Sequence, residues 1–167
     1  MGAHGHDPPR GHGMTTFDLE VAAHCAIATV DDPEYPGISI IDLGLLESLT
    51  VEDGGRITVG LVPTFAGCPA LHIIANDVAE ALYAVNAVQH VDVKWLRSPV
   101  WEATRVSERG QRALADQFTV AVQIGSRSTT CPRCGETTSE TSMFGPSRCR
   151  SVHRCEQCSE TIEVMRS

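Results

Sequence analysis

Hydrophobic and polar positions change their period within six residues, Thr64-Phe65-Ala66-Gly67-Cys68-Pro69. Before this stretch, Ile57, Val59 and Leu61 alternate with Thr58 and Gly60, the period of a half-buried strand. After it, Leu71, Ile74, Val78, Leu82 and Val85 recur at steps of three and four, with His72, Asn76 and Glu80 opposite, which predicts a helix. Pro69 suits the first helical position, where its missing N–H would have had no partner. Cys68 is therefore expected at or next to the helix N-cap, on a turn that Gly67 leaves free to adopt φ > 0. There, unpaired backbone N–H groups and the positive end of the helix dipole favour a thiolate. His72, one turn on, is a candidate support for that thiolate or a solvated histidine of the helix face.

The remaining pattern predicts further elements. Thr15 and Asp18 form a capping box for an alanine-rich helix over Phe17 to Val30, in which Cys25 is read as core packing. Pro33 disfavours helix at the residue before it, so Asp31-Asp32-Pro33 ends the helix. Asp32 to Gly37 reads as a rigid loop, after which Ile38, Ile40 and Ile41 lead into Asp42-Leu43-Gly44. Leu45 to Val51 and Arg56 to Val62 form a hairpin closed by Glu52-Asp53-Gly54-Gly55. Val91, Val93 and Trp95 mark a third strand, ended by Ser98-Pro99-Val100-Trp101. Ser107 caps a last helix from Glu108 to about Phe118. This order predicts an α+β domain over residues 15–120, with helices packed on a small mixed sheet. Residues 121–130 read as a linker and 131–167 as a small all-β ribbon-like domain. Residues 1–14, with His4, His6 and His12 among Gly and Pro, read as a disordered tail.

Composition narrows the function. The chain has 167 residues, 42% of them hydrophobic and 5% aromatic, so its core is built mainly from aliphatic side chains. A net charge of -8 argues against a nucleic-acid partner, since phosphates need clustered Lys and Arg. Neither a membrane helix nor a signal peptide is evident, and the expected address is the cytoplasm.

Five of the seven cysteines, Cys131, Cys134, Cys149, Cys155 and Cys158, lie in the last 37 residues. An odd total without export features points to metal binding and free thiols rather than disulfides. Cys131-Pro-Arg-Cys134 and Cys155-Glu-Gln-Cys158 each grip one side of an ion, and two such knuckles complete a closed tetrahedral thiolate shell. A closed shell is structural, and zinc is the expected metal, with a single iron or an iron–sulfur cluster as the alternatives. Metal binding worth about 10–16 kcal/mol outweighs the stability of so small a unit, so metal loss should unfold it. Cys149 and His153 are alternative ligands.

Asp32-Pro33-Glu34 with Pro36, Asp42-Leu43-Gly44, Pro63 through Ala70 and Ser98-Pro99-Val100-Trp101 together resemble the family of iron–sulfur assembly factors that includes SufT. With the four-cysteine tail and Cys149 the chain resembles the PaaD (PaaJ) family of the phenylacetyl-CoA oxygenase, or epoxidase, system. Tyr35 stands where that resemblance has an aliphatic residue, and Pro99-Val100-Trp101 where it has Pro-Pro-Trp. The resemblance implies a non-catalytic accessory protein of aerobic phenylacetate breakdown that helps mature iron or iron–sulfur centres. It implies Cys68 as the functional thiol, with Thr64 and Gly67 of the same motif in support and Asp32, Glu34 and Asp42 either in support or as turn caps, beside His72 from its helix position. Transient iron or an iron–sulfur cluster would be the cargo, and components of the oxygenase or its reductase the partners. A homodimer is compatible with this reading. Two rival readings are a structural or electron-transfer component with redox-active iron in the tail, and a thiol enzyme using Cys68 as nucleophile and His72 as base.

Overall fold

The computed structural model describes residues 15–125 and 128–166; the N-terminal histidines fall outside them. Helix α1 spans Thr16–Ile27 behind the expected capping box, in which the Thr15 Oγ1 accepts the Asp18 N–H and Asp18 Oδ2 accepts the Thr15 N–H, both at 3.1 Å. It buries Leu19, Ala23 and Ile27, one stripe at four-residue steps. Cys25 lies off that stripe and is exposed, so it does not pack in the core as its apolar surroundings led us to expect.

Where a loop was expected, the chain forms a short antiparallel pair, β1 (Asp31–Asp32) and β2 (Tyr35–Ser39). The Asp32 carboxylate accepts the Glu34 N–H at 2.8 Å and closes the turn locally, as Asx side chains do. Turn residues that read as coil thus make a miniature hairpin.

Strands β3 (Leu46–Glu52), β4 (Arg56–Leu61) and β5 (His90–Trp95) form a mixed sheet in that order, β3 antiparallel and β5 parallel to β4. A parallel neighbour needs a crossover, which α2 (Leu71–Tyr83) supplies, burying Ile74, Val78 and Leu82. At the hairpin turn Gly54 and Gly55 have φ of +78° and +74°, and a Cβ on Gly55 would collide with the Ala87 carbonyl oxygen. Helix α3 (Glu108–Ala113) is N-capped by Ser107, whose hydroxyl accepts the Gly110 N–H at 2.9 Å, and it runs into a π-helical turn, Leu114–Phe118.

Beyond Thr119 the structure departs from the expected linker. Val120–Val122 is a strand, β6, and Thr129–Thr130 another, β7. With β8 (Thr137–Ser142), β9 (Arg150–Cys155) and β10 (Thr161–Met165) they form a five-stranded sheet in the order β6-β10-β9-β8-β7. β6 pairs in parallel with β10, a partner about forty residues downstream that no local pattern announces. Met165, at the end of β10, is buried within the core of the first unit together with Val120, so the two halves share packing.

Candidate functional site

The ribbon brings Cys131, Cys134, Cys155 and Cys158 together, their sulfurs all within 4.8 Å of one another. The Cys131–Cys158, Cys134–Cys155 and Cys134–Cys158 sulfur separations are 3.7, 3.4 and 3.6 Å. A tetrahedron with metal–sulfur bonds of about 2.3 Å has edges of about 3.8 Å, so the four sulfurs fit a zinc-sized ion. Backbone N–H groups support the shell: that of Arg133 donates to Cys131 Sγ at 3.4 Å. The Cys158 N–H, and after it that of Gln157, draw the Cys155 thiol down to about 7, close to the pH at which it ionises and ligates. These four residues would hold the metal, and with every position filled by sulfur its contribution is a cross-link.

His153 is not a ligand of this shell. It is buried, with Nδ1 3.1 Å from the Thr138 hydroxyl and Nε2 3.1 Å from the Ser151 hydroxyl, so both ring nitrogens already have partners. Nor does Cys149 replace a nominal ligand, for it lies outside the cluster.

Cys149 faces the first unit instead. A pocket of about 270 Å³ is lined on one side by Glu34, Phe65, Gly67, Cys68 and Pro69, and on the other by Pro146 through Cys149. The two thiols that stand outside the knuckles and away from α1 thus share one hollow at the junction. Glu34 holds that junction: its Oε1 accepts from the Ser147 hydroxyl at 2.8 Å and from Arg150 Nη2 at 3.1 Å. Arg150 is itself buried, pairs with Glu163 at 2.7 Å, and lies 5.2 Å over the ring of Tyr35. Tyr35 is buried edge-on against Phe118, which explains a ring at this position: it carries the cation that comes from the ribbon.

The helix end near Cys68 differs from expectation. The helix begins at Leu71 with Ala70 as N-cap, and Pro69 precedes it rather than opening it. Cys68 sits one turn earlier, donating its N–H to the Phe65 carbonyl at 3.1 Å. Gly67 does not adopt a left-handed conformation; what favours glycine is the Phe65 ring, which a Cβ would meet at 2.7 Å. Burial pushes Cys68 up, the Ala70 N–H only partly opposes this, and the carboxylates of Glu34 and Asp32 push further. Burial also raises Cys149, against the pull of Arg150 and a hydrogen bond from Thr64.

The other candidates separate. Thr64 acts on the Cys149 thiol, partly opposing the effect of burial. Asp32 lines a different groove, with Asp31, Asp77 and Glu80. His72 is exposed and does not line the Cys68 pocket. Asp42 is a clamp of the fold: it accepts from the Ser39 hydroxyl (3.0 Å), the Ser107 hydroxyl (2.7 Å) and the Arg109 guanidinium. Burial pushes its carboxyl up, yet these donors together outweigh burial and hold it below its ordinary value. Glu34 was expected, but Ser147, Arg150 and Phe118 were not; only Tyr35 in place of an aliphatic residue hinted at a partner.

Comparison with known proteins agrees with this division. Residues 20–95 match the family described as "Iron-sulfur cluster assembly protein", and residues 115–166 the "PaaD zinc beta ribbon domain". The "Fe-S protein maturation auxiliary factor SufT" of Staphylococcus aureus is 35% identical over 51% of this chain and 96% of its own. The chain belongs to the iron–sulfur cluster assembly protein family. It is also similar to the D component of the "Putative 1,2-phenylacetyl-CoA epoxidase" of Escherichia coli, 26% identical over 84% of this chain and 88% of that one. The crystal structure of a domain of unknown function, DUF59, from Bacillus anthracis superposes with a TM-score of 0.56 at 28% identity, covering 59% of this chain and 93% of that one. The family match ends at Trp95, before the ribbon begins, so the junction pocket combines a family residue, Cys68, with one from the added ribbon, Cys149.

Proposed function

We propose that this protein is a non-catalytic accessory factor that assists maturation of iron or iron–sulfur centres in a phenylacetyl-CoA epoxidase system, with Cys68 as its working thiol. The carrying observation is the half-buried Cys68 in the lining of a pocket formed jointly by the assembly-family unit and the ribbon. The similarity to an epoxidase component along most of the chain supports the pathway, and the similarity to SufT supports the role. A thiol nucleophile needs an adjacent base, and His72, the candidate, stands outside the pocket. The four-sulfur shell holds zinc and orders the ribbon, whose outer surface is offered to protein clients such as the oxygenase components or their reductase. Among the described residues no helix is long and apolar enough to cross a membrane.

The test is reconstitution of the iron–sulfur centre of the reductase component with wild-type protein and with Cys68→Ser. Wild type should raise cluster occupancy, measured by absorbance and by iron and sulfide content, and the variant should fall back to the level without factor. Equal occupancy with both would overturn the proposal.

A further inference from the structure

Cys149 is nine-tenths buried, yet it belongs to neither hydrophobic cluster of the molecule. A buried cysteine ordinarily serves as a small apolar filler. This one lines the same pocket as Cys68 and is fixed there from both sides in sequence. Ser147 and Arg150, two residues before and one after, both donate to Glu34 Oε1. The first unit therefore grips the ribbon around Cys149.

We propose that Cys149 and Cys68 are the paired protein ligands of one thiophilic cargo, iron bound by two thiolates, held at the junction between the two units. The proposal rests on the reading of Cys68 as the working thiol. Thiolate sulfur selects soft and borderline cations such as ferrous iron and the irons of iron–sulfur clusters. As the iron binds, each thiol loses its proton to solvent and forms one iron–sulfur bond; no electron moves. Among the described residues only the four knuckle cysteines stand close enough together to close a shell of three or more protein ligands. The junction pair leaves the remaining iron positions to ligands brought by the cargo or by a recipient. That difference separates a resident metal from one that can be handed on by ligand exchange. The cargo arrives either as ferrous iron or within a cluster, and both present the same two-thiolate chemistry.

The experiment uses the full chain, anaerobic, with one zinc per molecule in the ribbon. Cobalt(II) is titrated as a spectroscopic probe, then ferrous iron and a [2Fe–2S] donor in parallel arms. Wild type should take up one further ion with a thiolate-to-cobalt charge-transfer band. Cys68→Ser and Cys149→Ser should each show about half that intensity, one thiolate in place of two, and bind at least about 10–100-fold more weakly. Cys25→Ser should behave as wild type. The arm that gives the tighter complex identifies free iron or cluster as the source. In a second measurement, zinc-loaded wild type is treated with a trivalent arsenical that bridges neighbouring thiols and is mapped by mass spectrometry; a Cys68–Cys149 bridge is expected. This readout needs no variant and stands even if Cys149→Ser loses its ribbon. Wild-type binding by Cys149→Ser, or arsenical on Cys68 without Cys149, overturns the pairing and leaves the maturation role of Cys68 intact. Binding unaffected by either substitution removes both.

Discussion

Asp42 shows how a residue that stands out in sequence can serve the fold. Its carboxylate gathers two hydroxyls and a guanidinium, and its own carbonyl lies 2.7 Å from where a Cβ on Gly110 would be. Hydrogen bonds to a charged group are worth about 1.5–3 kcal/mol each at most, and the amide in Asp42→Asn keeps some of them, so a loss of about 1–3 kcal/mol in urea unfolding is expected. The pH dependence follows from the sign of the shift. The folded state keeps Asp42 ionised below the pH at which the unfolded chain takes up its proton, so this stabilisation is full above the ordinary Asp value of 3.8 and fades as pH falls further. The wild-type advantage over Asp42→Asn should therefore shrink below about pH 4. Gly44 makes the steric counterpart. With φ +72° and no room for a Cβ beside the Arg105 carbonyl oxygen, Gly44→Ala should cost at least about 1–3 kcal/mol by the same measurement.

Elements were legible in the sequence where their partners are near in the chain. The 54–55 hairpin, α2 and the Ser107 cap follow from period and turn chemistry confined to short stretches, and the structure contains them. β6 did not, because three residues cannot show a period and its partner β10 lies far downstream. The state of Cys68 was misread for a related reason. Local sequence placed a proline at a helix start and implied an activated thiol, whereas burial, which depends on the whole fold, pushes the thiol up. The knuckles were legible because their chemistry is local, and they carry an element-scale expectation. Removing the metal with a strong chelator should unfold β7 to β10, seen as loss of dispersed amide signals from residues 129–165, while α1 and α2 keep their helical signals.

At the scale of the molecule, two units that resemble independent domains are joined through Glu34, Arg150 and Tyr35. Arg150 is buried while Glu34 is exposed, and Glu34→Gln removes the one carboxylate that reaches Arg150 from the first unit, leaving it with Glu163 on the ribbon side. This change should loosen the junction without touching the knuckles. Alkylation of Cys68 should then speed up several-fold, with the exposed Cys25 as internal reference and zinc content unchanged. Chelation of the ribbon metal should give the same acceleration, since it removes the far wall of the pocket. An unchanged rate in both would show that the ribbon does not shield Cys68.

The parallel return of β10 alongside β6 bears on any attempt to dissect the protein. A fragment ending near residue 125 would keep Val120–Val122 but strip away the strand they pair with and withdraw Met165 from the interior. Such a fragment presents a bare, apolar strand margin that invites self-association, so its behaviour in isolation would report on the cut rather than on the assembly unit.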